Sequence, residues 1–217
     1  MTRLGCAVAS VVALFGCWES TAISSDAGSD RPSACTDAPF FRENFEGYPA
    51  GAPLQADWHV ELAGNSLARV APPEDGHGAN ESSRYLIVIN NGSAGQLELS
   101  AATPPHDLSG CEGARLTFSL IVFSLETDEG DEAYVDVRGN GTDWITQSKL
   151  FPGAFPSILA CRPGDQDTTG CVAWKSFSID VPAAMLGPGV QARFRLKTTT
   201  DMNDSIGVDD IDLRGLR

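Results

Sequence analysis

The stretch Ala114-Arg-Leu-Thr-Phe-Ser-Leu-Ile-Val-Phe-Ser-Leu125 decides the fold. Leu116, Phe118, Leu120 and Val122 fall at every second position, the repeat of a β-strand with one face against a core. Outward from it the pattern recurs. Tyr134-Val-Asp-Val-Arg138 and Arg193-Phe-Arg-Leu-Lys197 alternate, and in the second Phe194 and Leu196 point inward while three cations point to solvent. Gln96-Leu-Glu-Leu-Ser100 puts Leu97 and Leu99 on one face, and Trp174 to Asp180 and Ile206 to Leu213 add two further strands. Arg84 to Asn90 is a continuous apolar run, the mark of a strand buried on both faces; Asn90-Asn91-Gly92 then predicts a hairpin with the strand at 96–100. Pro182 to Leu186 has room for one helical turn before Gly187-Pro188-Gly189 ends it. About ten short strands between Gly, Pro, Asn and Asp turns predict an all-β fold, two antiparallel sheets packed as a sandwich.

The chain before this domain has a different character. Met-Thr-Arg is followed by an apolar run from Leu4 to Phe15, about 12 residues, the length of a signal-peptide core and too short to span a bilayer. Leu14-Phe15-Gly16-Cys17 resembles the lipobox of bacterial lipoproteins, which implies cleavage after Gly16 and a lipid on Cys17. Trp18 to Ala34 is rich in Ser, Ala, Asp, Thr and Gly without apolar periodicity, the composition of a flexible tether. The reading is therefore a signal peptide over 1–16, a tether over 17–34 and one domain over 35–217. The host is read as bacterial and the protein as lipid-anchored in the cell envelope. Trp18 after the Cys is not the Asp that retains lipoproteins in the inner membrane, so the outer membrane is favoured. A freely secreted form is the alternative.

With 29 acidic against 15 basic residues, the chain has a net charge of −14, which argues against nucleic acid. In an exported domain Cys35, Cys111, Cys161 and Cys171 read as two disulfides, with three pairings open. The local pair, Cys161 with Cys171, would staple a polar loop. Cys35 with Cys111 then follows by elimination. Loop entropy gives the two about 2.7 and about 4.5 kcal/mol. No two Cys have the close spacing of a zinc site.

Four segments in order carry a resemblance: Phe40 to Gly47 with Trp58 after it, Asp131 to Trp144, Phe177 to Asp180 followed by Val190 to Leu196, and Ile206 to Leu213. The succession is similar to MAM-like domains and to the cleaved-adhesin, or choice-of-anchor, jelly rolls of bacterial surface proteins. The resemblance implies a concanavalin-like jelly roll with its first and last strands side by side. It also implies a structural Ca²⁺ held by Glu43 or Glu46, Asp131, and Asp209 or Asp210, oxygen donors of the kind calcium takes. The sequence departs from the family before the central hairpin, where Glu126 to Glu132 replaces the usual Asp-Gly repeats. Apart from any family, Asp209-Asp210 on a strand places one carboxylate inward or at a strand end. There it needs a cation, an Arg or several hydrogen-bond donors.

Catalytic patterns are weak. The acidic run 126–132 is interrupted by Gly130 and lacks the alternation that aims paired carboxylates of a glycoside hydrolase into one cleft. No Gly-x-Ser-x-Gly elbow occurs, and His59, His77 and His106 are scattered. Among Trp58, Trp144 and Trp174, Trp144 is the best-placed ligand contact, because Gly139 to Asp143 sets it just past a turn. The sequence thus predicts a monomeric, non-catalytic module that binds glycans or a surface protein and meets the membrane through its lipid alone. A polysaccharide-processing hydrolase or lyase of similar fold and a structural envelope subunit are the alternatives.

Overall fold

A computed structural model describes residues 35, 38–71, 79, 82–92, 95–126, 130–139, 141–155, 173–199 and 204–217. Cys17, Cys161, Cys171 and the predicted signal peptide and tether lie outside them. Eleven strands are described: β1 (Phe41–Glu43), β2 (His59–Glu61), β3 (Leu67–Val70), β4 (Leu86–Ile89), β5 (Leu97–Ala102), β6 (Gly113–Phe123), β7 (Glu132–Arg138), β8 (Ile145–Phe151), β9 (Lys175–Val181), β10 (Gln191–Thr198) and β11 (Ser205–Leu216). They form two antiparallel sheets. The first runs β3-β4-β11-β6-β9 with β1 also on β11, and the second runs β2-β5-β10-β7-β8. The two-sheet β-sandwich is the one the alternating sequence predicts. The helical turn expected near 182–186 is a 3-10 turn at Ala183–Met185.

The last strand organises the first sheet. One edge of β11 pairs with β6 on both sides of a bulge at Asp210 and Ile211, and the other is divided between β4, opposite Ser205 to Val208, and β1, opposite Ile211 to Leu213. First and last strands are therefore neighbours. The inward residues Leu116, Phe118, Leu120 and Val122 of β6 are all buried. The Phe118 ring meets Phe177 of β9 at 5.2 Å and, across the sandwich, Phe194 of β10 at 5.0 Å edge-on. That contact joins the two sheets through their longest apolar rows.

The predicted hairpin of residues 84–90 with 96–100 does not form. β4 lies in the first sheet between β3 and β11, whereas β5 lies in the second between β2 and β10. Both edges of β4 are already hydrogen-bonded, so the turn at Gly92 carries the chain from one sheet to the other. At Cys35 the start of the domain is fastened, by the Cys35–Cys111 disulfide, to a position two residues before β6. The cysteine stands beside Leu216, whose carbonyl its sulfur meets at 3.4 Å.

Gly207 marks the tightest place in β11. A Cβ there would stand 2.7 Å from Ile121 Cγ2 and 2.9 Å from the Tyr85 ring, in a layer that covers the outer face of the first sheet. We expect Gly207→Ala to destabilise the domain by about 1–3 kcal/mol, because overpacking outweighs the smaller gain from stiffening the unfolded chain. Urea unfolding measures this; an unchanged midpoint would mean the layer yields freely.

Candidate functional site

On the second sheet the residues that point away from the core make a continuous charged face. Across β5, β10 and β7, Glu98, Lys197 and Glu132 form one row, Ser100, Arg195 and Tyr134 the next, and Ala102, Arg193 and Asp136 the third; Gln191 and Arg138 close the end. The cations of β10 do not stand in open water as the alternation predicts. The Arg193 and Arg195 side chains are 11% and 14% exposed, packed on an Asp136 carboxylate that is fully buried. Asp136 Oδ2 accepts from Arg193 Nε at 2.9 Å and Arg195 Nε at 2.7 Å, and Oδ1 accepts from Thr146 Oγ1 at 2.8 Å. Burial works to raise this carboxyl, and the hydrogen bonds from Arg195, Thr146 and Arg193 outweigh it and hold it below its usual value.

Aromatic rings lie on the same face. Arg195 sits 4.3 Å from the Tyr134 ring centre, and Lys149 5.8 Å. Trp144, just before β8, has the guanidinium carbons of Arg138 and Arg193 at 4.4 and 4.5 Å from its ring centre. It is partly buried and outside the core, as a ligand contact requires. Trp58 by contrast is a core residue, and Trp174 packs edge-on to Tyr85. Beside Trp144, at the end of the face, a depression of about 350 Å³ is lined by Pro105, Arg138, Gly139, Thr142, Pro188 and Gln191 among others.

The predicted metal ligands do not come together. Glu46 accepts from the Ser83 and Arg84 N–H groups and the Ser83 hydroxyl, at 2.7–2.9 Å. Asp209, fully buried, accepts from Ala79 N–H at 2.8 Å, Ser82 Oγ at 2.6 Å and Asp210 N–H at 2.8 Å. Between them these two acids hold the segment that leads into β4. Asp131 ties the start of β7 to the end of β10 by accepting from Glu126 N–H and from Thr199 N–H and hydroxyl. Glu43 accepts from Phe45 N–H at 2.7 Å. Glu43 and Asp210 do line one depression, of about 410 Å³, but Arg42 and Asp212 line it too and are bonded to each other at 2.7 Å. Among the described residues no three Asp, Glu, His or Cys side chains are placed to share a metal ion. The N–H and O–H donors on Asp209 occupy lone pairs a cation would need, so this arrangement does not fit the calcium set the resemblance implies. Of the three answers open for a buried Asp209, the structure gives several donors. Sequence reasoning missed Ser82 and Ser83 because their contacts cross from a distant part of the chain. It also missed the Arg193, Arg195, Asp136 and Arg138 face, although opposite charges at alternate positions of both strands were a visible signal.

No protein-family model matches the sequence, and no curated protein is similar to it. Solved structures are. The K1 cleaved adhesin domain of Lys-gingipain from Porphyromonas gingivalis superposes with a TM-score of 0.54 at 19% identity, over 82% of this chain and 98% of that one. The K3 domain of the same protein gives 0.57 at 16%, over 81% and 98%, and the K2 domain 0.53 at 19%, over 80% and 96%. The likeness is one of fold.

Glu132, at the edge of the face, is held ionised. Hydrogen bonds from Lys149 first, then Tyr134, and more weakly Lys197 after the opposing effect of burial, bring its carboxyl down to about 2. A folded-state value below the unfolded one contributes stability that is complete above the unfolded carboxylate pKa of about 4 and is lost as pH falls through the folded value. Melting temperature should fall steeply between roughly pH 4 and pH 2, and Glu132→Gln should flatten that limb while leaving the slope above it unchanged. A second expectation concerns metal. Because the acids are satisfied by protein donors, a chelator should leave the melting temperature in place; a drop restored by Ca²⁺ would show that a cation belongs in the fold.

Proposed function

We propose that this protein is a non-catalytic binding module of the bacterial cell envelope, lipid-anchored through Cys17, that recognises glycans on the outer face of its second sheet. The observation that carries the reading is that face. It presents Trp144 and Tyr134 amid guanidinium, amide and hydroxyl groups, next to a depression of about 350 Å³. Sugar rings offer C–H faces that pack on aromatic rings and hydroxyls that exchange hydrogen bonds with such groups. Rigidity supports it further, because Arg138, Arg193, Arg195, Lys149 and Lys197 are each held by a cross-strand neighbour and little of their ordering entropy is lost when a ligand docks. The fold shared with proteins named as adhesin domains agrees with a binding role. Two acids of the run 126–132 are otherwise engaged: Asp131 is buried on Thr199, and Glu132 lies between Lys149 and Lys197. A carboxyl held near 2 does not donate protons at neutral pH.

A glycan array probed with the full chain tests the proposal. We expect selective binding, and about a tenfold loss (~1.4 kcal/mol) in Trp144→Ala with an unchanged melting temperature, since Trp144 is outside the core. A folded protein that binds no glycan, or a Trp144→Ala variant that binds as the parent does, would move recognition to another surface or to a protein partner.

A further inference from the structure

Arg138 differs from every other cation on the face. Arg193 and Arg195 are bonded to Asp136, and Lys149 and Lys197 to Glu132. Arg138 has no carboxylate partner among the described residues. Its Nε and Nη2 both donate to the Gln191 side-chain oxygen, at 2.9 and 2.6 Å. Gln191 is itself only 5% exposed and is anchored by donating its amide N–H to Thr103 O at 2.5 Å. The guanidinium is thus gripped on one side by a buried amide and flanked by Trp144. Its end-on edge, Nη1 with the second Nη2 hydrogen, is left with no protein acceptor among the described residues. That edge matches a carboxylate in the two-point geometry arginine favours.

The surroundings are built, and among the described lining residues Arg138 alone is charged. Arg138 and Gln191 line the depression together with Pro105, Thr142, Pro188 and the Gly139 backbone. The turn after β7 is closed by Thr142, whose hydroxyl donates to Gly139 O at 2.6 Å and whose N–H does so at 2.9 Å. The facing loops are tied together at His106 and Val190, each N–H donating to the other's carbonyl at 2.9 Å. Gly139 is required there, because a Cβ would stand 2.2 Å from Met185 O. Besides Arg138 and Gln191, the described walls are therefore backbone, proline rings and one hydroxyl held in place.

We infer that the Arg138–Gln191 pair is an anion subsite that takes the carboxylate of an acidic sugar residue, a uronate, in a glycan lying across Trp144. The inference rests on the glycan reading above and names the ligand class for that same face. A sugar carboxylate fits better than a densely sulfated or phosphorylated polymer. With a net charge of −14 the protein repels polyanions at long range, so binding depends on contact at one cation with a fixed edge.

The test is calorimetric titration of the full chain with a short oligogalacturonate, the same oligomer fully methyl-esterified, a sulfated oligosaccharide and an acidic peptide. The free acid should bind about tenfold tighter than the ester, the scale of a lost charge-assisted bidentate contact. Arg138→Met should abolish that preference, and Arg138→Lys, which keeps the charge but not the fork, should recover little of it. Melting curves verify that both variants fold, and the comparison of acid with ester needs no variant. Equal binding of acid and ester would overturn the subsite and leave the glycan reading standing. Silence toward both oligomers would overturn the uronate assignment, while the glycan array decides the glycan reading separately. Tighter binding of the sulfated arm or the peptide would overturn the assignment to a sugar carboxylate.

Discussion

The first sheet depends on a strand that the chain supplies last. Both edges of β11 are hydrogen-bonded, to β6 along one side and to β4 and β1 along the other. Until its twelve residues are in place, β1 has no described strand partner and β4 has only β3. The sandwich therefore rests on pairings between residues far apart in sequence, the slowest kind to form because loop-closure entropy precedes any reward. The Cys35–Cys111 bond acts on the same problem. It closes a loop between positions 76 apart and holds the domain's start beside Leu216, which removes part of that entropy from the unfolded chain.

Charge is the second structural material of this domain, and it is handled in two ways. Asp209 is buried among backbone and hydroxyl donors, and the cost of that burial shows in a carboxyl raised to about 7 despite three hydrogen bonds. Asp136 is equally buried, but two guanidiniums stand on it and its carboxyl is held low. Arginine answers burial where neutral N–H and O–H donors only soften it. The Asp136 cluster also fixes Arg193, which stands under Trp144, so the geometry of the aromatic end follows from an ion cluster one row away.

How far the sequence could be read divides along the same line. Alternation in β6, β7 and β10 was legible because inward positions depend only on the local period of a strand, and Leu116, Phe118, Phe194 and Leu196 are buried as that period requires. The place of β4 between β3 and β11, and not beside β5, was not, since a continuous apolar run says that both faces are covered without saying which strands flank it. The acids at 43, 46, 131, 209 and 210 were visible as acids, yet Glu46 is held by Ser83 and Arg84, Asp131 by Thr199 and Asp209 by Ala79 and Ser82, partners so far away along the chain that no spacing rule reaches them. Trp144 stood out from its turn. Its two guanidinium neighbours did not, because they come from β7 and β10, brought side by side only by sheet register.

The contrast between the whole molecule and this one face bears on how recognition works. Arg138, Arg193, Arg195, Lys149 and Lys197 gather five of the chain's 15 basic residues on one surface, yet Asp136, Glu132, Glu61 and Glu98 answer four of them. Beyond about 8–10 Å at ordinary ionic strength those pairs cancel, and an approaching acidic ligand meets mainly the net negative field. Association is then unassisted by steering, and discrimination falls to the few ångströms over which a guanidinium edge can be matched atom by atom. Such a surface rewards a ligand that carries a carboxylate at a defined position on a rigid frame and gains little from one that is merely charged. Arg138 suits that task because Gln191 orients its guanidinium without neutralising it: the amide oxygen accepts two hydrogen bonds and leaves the positive charge intact.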